Sequence, residues 1–337
     1  MRVVWMGAGE IGLPSLEWLI DEPEHEVLAV FTQPDRPVGR KQVLTATVTK
    51  ILALERDVPV FQPESLRRNP AILQQLQDME PDLIVVMAYG CLLPQVVIEV
   101  PSIACINLHA SLLPKHRGAA PIQAAILAGD EKSGITVMHI ARKLDAGDMI
   151  WKETIELAAD ETGGILHDRL AQLGPKALAS ALPLLQSGEA DREVQNEEKV
   201  SHTGKLSRED GVIDWSRSAV EIERKIRAFD PWPGTGTVFF QEEGKGKSKG
   251  RAKRLKIFPP VTVGGFNDGQ SNKLVDFEPG SILPCEEGSG SQLRVMTGDG
   301  YLELSEVQLE GRSRMDVGLF QRGQSMPEGS CFGGLTD

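Results

Sequence analysis

Through its first half the chain alternates short apolar runs with segments whose apolar residues return every three or four positions. The pattern predicts strands over Arg2–Met6, Glu26–Thr32, Asp82–Ala88, Ile103–His109 and Gly134–Ile140. It predicts helices over Leu13–Asp21, Thr47–Arg56, Asn69–Asp78 and Ala120–Ala128. Asp82–Ala88 is continuously apolar after its first residue, as a strand covered on both faces should be. Pro121 lies in the first turn of its helix and Gly129 just past the end, the preferred places for each. Short strand–helix units in series imply an α/β fold, a Rossmann-like parallel sheet with helices on both faces. Ligands of such sheets sit at the carboxyl ends of the strands. Thr162–Leu185 is again helical, and Gly174–Pro175 is expected to divide it into two helices.

Beyond this point the texture changes. Residues 188–205 are polar and are expected to be a linker. One helix follows, Val220–Phe229. Then come short strands set apart by Gly, Pro and Asn: Thr237–Phe240, Leu255–Val263, Gly280–Leu283, Gln292–Thr297 and Tyr301–Leu309. That spacing predicts a small antiparallel β-barrel. The expected division is a first domain over 1–187, a linker over 188–205, a barrel domain over 206–325 and a flexible, Gly-rich tail over 326–337.

At 337 residues the chain can bury two cores. The first segment enters a buried strand at once, without the pattern of a secretion signal, and no apolar run approaches a membrane span. Four cysteines stand apart from one another (Cys91, Cys105, Cys285 and Cys331), which fits free thiols in a reducing cytoplasm and offers no zinc cluster. The formal charge of −12 argues against a general nucleic-acid coat. The charge is uneven, however: residues 205–337 hold half of the 36 Lys and Arg. Within them, Lys245, Lys247, Lys249, Arg251, Lys253, Arg254 and Lys256 form a run with no acid, suited to phosphate. Arg36, Arg40 and Lys41 form a second, smaller basic group.

The chemistry concentrates in Ile106–Pro114 (INLHASLLP) and Leu144–Asp148 (LDAGD). Asn107 and His109 share strand parity and so point to one face, at the carboxyl end of a strand. Asp145 closes the next helix-and-strand unit. A carboxamide, an imidazole and a carboxylate supply an oxyanion donor, a proton carrier and a group to orient it, as direct acyl transfer requires. Taken alone, His109 reads rather as a hydrogen-bonded core residue; Asn107, the following loop and Asp145 shift that balance. Gly7-Ala8-Gly9-Glu10-Ile11-Gly12 follows a strand and opens a helix, as a dinucleotide fingerprint does. It lacks a clear acid at the end of the second strand and reads rather as a glycine turn that lets helix and strand approach.

Together these segments resemble the methionyl-tRNA formyltransferases, within the folate-dependent formyltransferases. The likeness is carried by Phe31–Arg40, Val85–Gly90, Asn107–Pro114, Arg117–Gln123, Leu144–Met149, Lys205–Ser207, Ile213–Trp215 and Ile226–Pro233. It implies a Rossmann-like catalytic domain followed by a barrel resembling an OB-fold, in a monomeric cytoplasmic enzyme of translation initiation. It implies 10-formyltetrahydrofolate as donor and the methionine amine of initiator methionyl-tRNA as acceptor, with no metal. By the same resemblance Ser111, Leu112, Leu113 and Pro114 match a folate-binding segment, and Met87, Tyr89, Gly90 and Leu92 border the pterin. Arg40 then engages the acceptor stem, with Lys41, Lys205 and the basic run as further tRNA contacts. Three other readings stay open on residues alone. One is a formyltransferase of another amine, such as glycinamide ribonucleotide or an amino sugar nucleotide. The others are a nicotinamide-dependent oxidoreductase and a non-catalytic RNA-binding module.

Overall fold

The apolar run of the N-terminus forms β1 (Arg2–Gly7), near the middle of a seven-stranded sheet in a computed structural model describing residues 1–39, 41–241, 251–265, 277–284, 293–324 and 330–333. There follow α1 (Leu13–Asp21), β2 (Glu26–Phe31), a hairpin of β3 (Arg36–Val38) and β4 (Val43–Thr45), α2 (Val48–Glu55), β5 (Val60–Phe61) and α3 (Pro70–Asp78). Next come β6 (Leu83–Met87), α4 (Gln95–Ile98), β7 (Ala104–His109), β8 (Arg117–Gly118), α5 (Pro121–Ala128), β9 (Lys132–His139), β10 (Met149–Glu156) and α6 (Gly163–Ser187). The chain divides into two compact units. The first holds residues 1–121, 131–157 and 166–204, and the second 122–130, 158–165 and 205–337.

In the first unit the strand order is β10-β9-β7-β6-β1-β2-β5. β7, β6, β1, β2 and β5 run parallel, as expected. β9 and β10 do not: β9 lies antiparallel to β7, and β10 antiparallel to β9, so the sheet is mixed. Val4, Met6, Ile84 and Val86 bury one face against Leu76 of α3 and Val97 of α4. The order reverses between β1 and β6, and such switch points open a crevice beyond the strand ends.

The expected break at Gly174–Pro175 is absent, and α6 runs through both Pro175 and Pro183. Leu166, Leu170, Leu173, Ala177, Ala181 and Leu185 are buried at helical spacing on either side of Pro175. The apolar stripe therefore stays in phase, and its burial outweighs the roughly 3 kcal/mol of an interior proline. Gly174 lies against Ser15 of α1, where a Cβ would come 2.2 Å from the hydroxyl. The glycine serves close packing rather than a turn.

Of residues 188–205, expected to be a linker, 188–204 lie within the first unit and include a strand, β11 (His202–Thr203), paired with β8. The second unit contains α7 (Ala219–Ala228), whose Ser218 and Glu221 form a reciprocal capping box. It also contains β12 (Thr235–Gln241), β13 (Arg251–Gly264), β14 (Leu293–Met296), β15 (Tyr301–Leu309), β16 (Met315–Asp316), a helix the sequence did not suggest, α8 (Val317–Gly323), and β17 (Phe332–Gly333). The order is β14-β15-β13-β12-β17. Ile282 bridges to Val295 and Ser281 to Cys331, so the pairings pass through residues 280–283 back to the start and close a barrel. Its core joins Trp215 and α7 to Leu255, Val295, Leu304 and Phe332. Pro259 and Pro260, which cannot donate to a ladder, sit where the β13–β15 register shifts. Within the tail expected to be flexible, β17 pairs with β12. Among the described residues no helix is long and apolar enough to cross a membrane.

Candidate active site

A cavity of about 670 Å³ opens at the carboxyl ends of β6 and β7, within the first unit. Asn107 and Asp145 both line it, together with Leu92, Arg67 and Arg142. Asn107 stands near the end of β7, registered between Val86 of β6 and Met138 of β9, which are lining residues as well. The size suits a ligand of drug-like mass. The walls combine aliphatic side chains (Val86, Leu93, Ile98 and Ile140) with two cations (Arg67 and Arg142), two amides (Gln95 and Asn107) and the Asp145 carboxylate. That donor set fits a flat heterocycle bearing carboxylates, which is the chemistry of a folate.

His109 is buried at the end of β7. Its Nε2 lies 3.0 Å from the carbonyl oxygen of His116. A carbonyl only accepts, so Nε2 carries the proton, and the neutral ring leaves Nδ1 unprotonated. Nδ1 is 3.7 Å from Asp145 Oδ2, an ion-pair distance once the ring is charged. The same Oδ2 accepts a 2.8 Å hydrogen bond from the Gly118 amide. The Asp145 side chain is only 11% exposed yet borders the cavity, so it links the cavity to the imidazole.

Burial lowers the affinity of His109 for a proton, against the opposing pull of Asp145 and the His116 carbonyl. The ring is therefore neutral at neutral pH. The folded value lies below the unfolded one, so the unfolded chain binds more protons across the window beneath about 6.5. The His109 contribution is flat above that window, and stability falls as pH drops through it. His25 and His139 are lowered chiefly by burial too and act in the same sense. Replacing His109 by Gln is expected to flatten part of this acid slope in chemical denaturation between about pH 5 and pH 7. An unchanged slope would show that His109 takes no part in it.

The other residues singled out from the sequence divide. Leu92 lines the cavity and is 83% exposed. Met87 and Tyr89 are buried beside it, and burial pushes the Tyr89 phenol up to about 12. Gly90 has a φ of +76°. Ser111, Leu112, Leu113 and Pro114 are not among the lining residues. Ser111 turns its hydroxyl to the Lys115 carbonyl, and Leu113 packs with Met138 and Met149. Lys41 is exposed beside the turn of the β3–β4 hairpin, and Lys205 is exposed. Of the basic run, Arg254 and Lys256 are exposed on β13, Lys253 is half-buried, and Arg251 begins the strand. Arg40, Lys245, Lys247 and Lys249 lie outside the described residues.

Sequence reasoning missed Arg67 and Arg142, which belong to no motif, and took Gln33 only as part of the Phe31–Arg40 segment, with no role of its own. Gln33 donates to the Tyr89 carbonyl (2.9 Å) and to Cys91 Sγ (2.9 Å) and accepts from Arg36 (3.3 Å), tying the base of the hairpin to the cavity rim. The Gly7–Gly12 pattern has a packing cause. A Cβ on Gly7 would lie 2.6 Å from the Met87 carbonyl oxygen and from the Trp5 ring nitrogen, and one on Gly12 2.7 Å from the Trp5 ring. A fully buried tryptophan occupies the space that these glycines vacate. Among the described residues no cluster of three or more His, Cys, Asp or Glu could hold a metal.

Residues 1–182 match the family described as formyl transferase, and residues 205–325 match the formyl transferase C-terminal domain. The methionyl-tRNA formyltransferase of Akkermansia muciniphila is 47% identical over 318 residues, covering 94% of this chain and 95% of the relative. That of Agathobacter rectalis is 41% identical over 332 residues, covering 98% and 99%. An N-formyltransferase from Helicobacter canadensis, solved with folinic acid and dTDP-3-aminofucose, shares the fold with a TM-score of 0.60 at 16% identity, over 90% of this chain and 98% of that one. HypX from Aquifex aeolicus, solved with tetrahydrofolic acid, gives 0.54 at 16% identity, over 95% of this chain and 47% of that one. With both halves matched and such relatives along nearly its whole length, the chain belongs to the formyl transferase family, on the methionyl-tRNA formyltransferase branch, and is an enzyme of that class.

Proposed function

We propose that the protein transfers a formyl group from 10-formyltetrahydrofolate to the free amine of methionine on initiator methionyl-tRNA, with Asn107, His109 and Asp145 as catalytic residues. The observation that carries the reading is the meeting of Asn107 and Asp145 in one cavity, with His109 Nδ1 3.7 Å from that carboxylate. The folate supplies the formyl group and a leaving nitrogen. Asn107 donates its amide N–H to the negative charge that grows on the formyl oxygen as the amine attacks. The attacking nitrogen must lose a proton, and Asp145 passes it to His109 Nδ1, where the imidazolium forms an ion pair with the same carboxylate. His109 then returns the proton, by way of Asp145, to the departing nitrogen. One N–C bond forms, one breaks, and one proton moves between two amines.

Arg67 and Arg142 meet the carboxylates of the folate at the cavity wall. The acceptor is bound through its phosphates by Lys41, Lys205, Arg254 and Lys256, all exposed. Arg40 and the lysines at 245, 247 and 249 extend the same role. The direct test offers the protein 10-formyltetrahydrofolate with initiator or elongator methionyl-tRNA and follows formation of formylmethionyl-tRNA. Formylation of the initiator supports the reading, and none on either tRNA removes it. Arg254→Ala with Lys256→Ala should weaken tRNA binding and lower the slope of log affinity against log salt by about one for each phosphate no longer neutralised. An unaltered slope would take β13 out of the tRNA-binding surface.

A further inference from the structure

Residues 188–204 act as a strap across the active-site turn. Glu193 exchanges two backbone hydrogen bonds with Met149, of 2.9 and 3.0 Å. Gln195 is buried and spends its whole carboxamide: Nε2 donates to the carbonyls of Asp145 (2.9 Å) and Gly147 (2.8 Å), and Oε1 accepts from Arg117 Nε (2.9 Å). Arg117 is 0% exposed, and its Nη2 reaches Glu197 (2.9 Å), which also takes Lys143 (3.1 Å). Farther along, Ser201 accepts from the His116 amide through its hydroxyl (2.8 Å) and from the Arg117 amide through its carbonyl (2.9 Å).

These bonds bear on both sides of the Asp145–His109 pair. His116 supplies the carbonyl that sets the His109 tautomer, and Gly118, next to Arg117, supplies the amide on Asp145. Asp145 has a φ of +49°, a region that residues with side chains enter only when their surroundings hold them there. Gln195 grips the carbonyls of Asp145 and Gly147 and so supplies part of that hold.

We propose that Gln195 is a positioning residue of this enzyme: clamped by the buried Arg117, it fixes the Asp145–Gly147 turn and thereby the carboxylate between the cavity and His109. The proposal rests on the formyl-transfer reading for its effect on rate, but not for its effect on the turn. Gln195→Glu separates positioning from bulk stability. The new carboxylate keeps the volume and strengthens the bond to Arg117, but it faces two carbonyls with no N–H. An ångström of misplacement costs on the order of 10² in rate. We expect kcat to fall about 10- to 100-fold, KM for both substrates to stay within about twofold and the unfolding midpoint to move by only a few degrees. Amide exchange over residues 143–148 should accelerate. If Gln195→Glu fails to fold, Gln195→Ala is read in the same three ways. A folded variant with parental kcat, or with parental exchange over 143–148, would overturn the proposal. A parent enzyme that forms no formylmethionine would defeat formyl transfer alone, and the exchange measurement would still decide whether Gln195 holds the turn.

Discussion

Asn107→Ala is expected to lower kcat by a factor on the order of 10² to 10³, the usual loss for one oxyanion donor. The side chain leaves β7 into the cavity, while the backbone stays registered with Val86 and Met138. Truncation therefore removes a donor without opening the sheet, and KM for the folate should change by no more than a few-fold. Asn107→Asp, of equal size, sharpens the test. It puts a carboxylate where negative charge develops, so its loss should equal or exceed that of the alanine. Steady-state rates at saturating donor and tRNA read both variants. Parental turnover in either would remove Asn107 from the reaction.

Gly118→Ala carries the second large effect, and it acts on stability and rate together. Gly118 has a φ of +122°, and a Cβ there would lie 2.0 Å from the Thr203 carbonyl oxygen. β8 and the strap strand β11 must part, or the backbone must move. Strain of this kind with overpacking costs about 2–5 kcal/mol, or on the order of 10 °C in unfolding midpoint for a unit of this size. The Gly118 amide also donates to Asp145. Residual turnover at permissive temperature should therefore drop at least about tenfold, as a misplaced catalytic group requires. Calorimetry and rate assays on the same preparation check the pair of effects. A midpoint within about 2 °C of the parent would contradict the packing argument.

Sequence patterning carried most of the sheet because β1, β2, β6 and β7 are buried and consistently apolar over their core positions. β10 escaped it. It is an edge strand whose outer end is exposed and whose residues Lys152, Glu153 and Glu156 blur the alternation. Without β10, the antiparallel turn from β7 through β9 had no sign in the sequence. Pro175 misled because a local breaker was weighed without the long-range burial that overrides it. Asn107, His109 and Asp145 were legible as a candidate site because parity along one strand and a glycine-bounded turn are local signals. Arg67, Arg142 and Gln195 were not, because their roles come from folding distant segments onto one cavity. The strap read as a linker for the same reason: its polar residues bond to buried partners that no local pattern reveals. The folate role of Ser111–Pro114 came by resemblance; none of the four lines the cavity, the Ser111 hydroxyl bonds within its loop and Leu113 packs with Met138 and Met149.

The proposed reaction joins a folate donor to the methionine of a charged tRNA in one cavity, through Asn107, His109 and Asp145. Its most direct measurement is a single-turnover reaction of formyl-labelled 10-formyltetrahydrofolate with initiator methionyl-tRNA, run with the parent and with Asp145→Asn. Label is expected on the methionine nitrogen within one turnover of the parent, with the rate reduced at least about 10²-fold in the variant, as loss of a general acid–base group gives. No label on methionine with the parent, or equal rates in the two proteins, would contradict it.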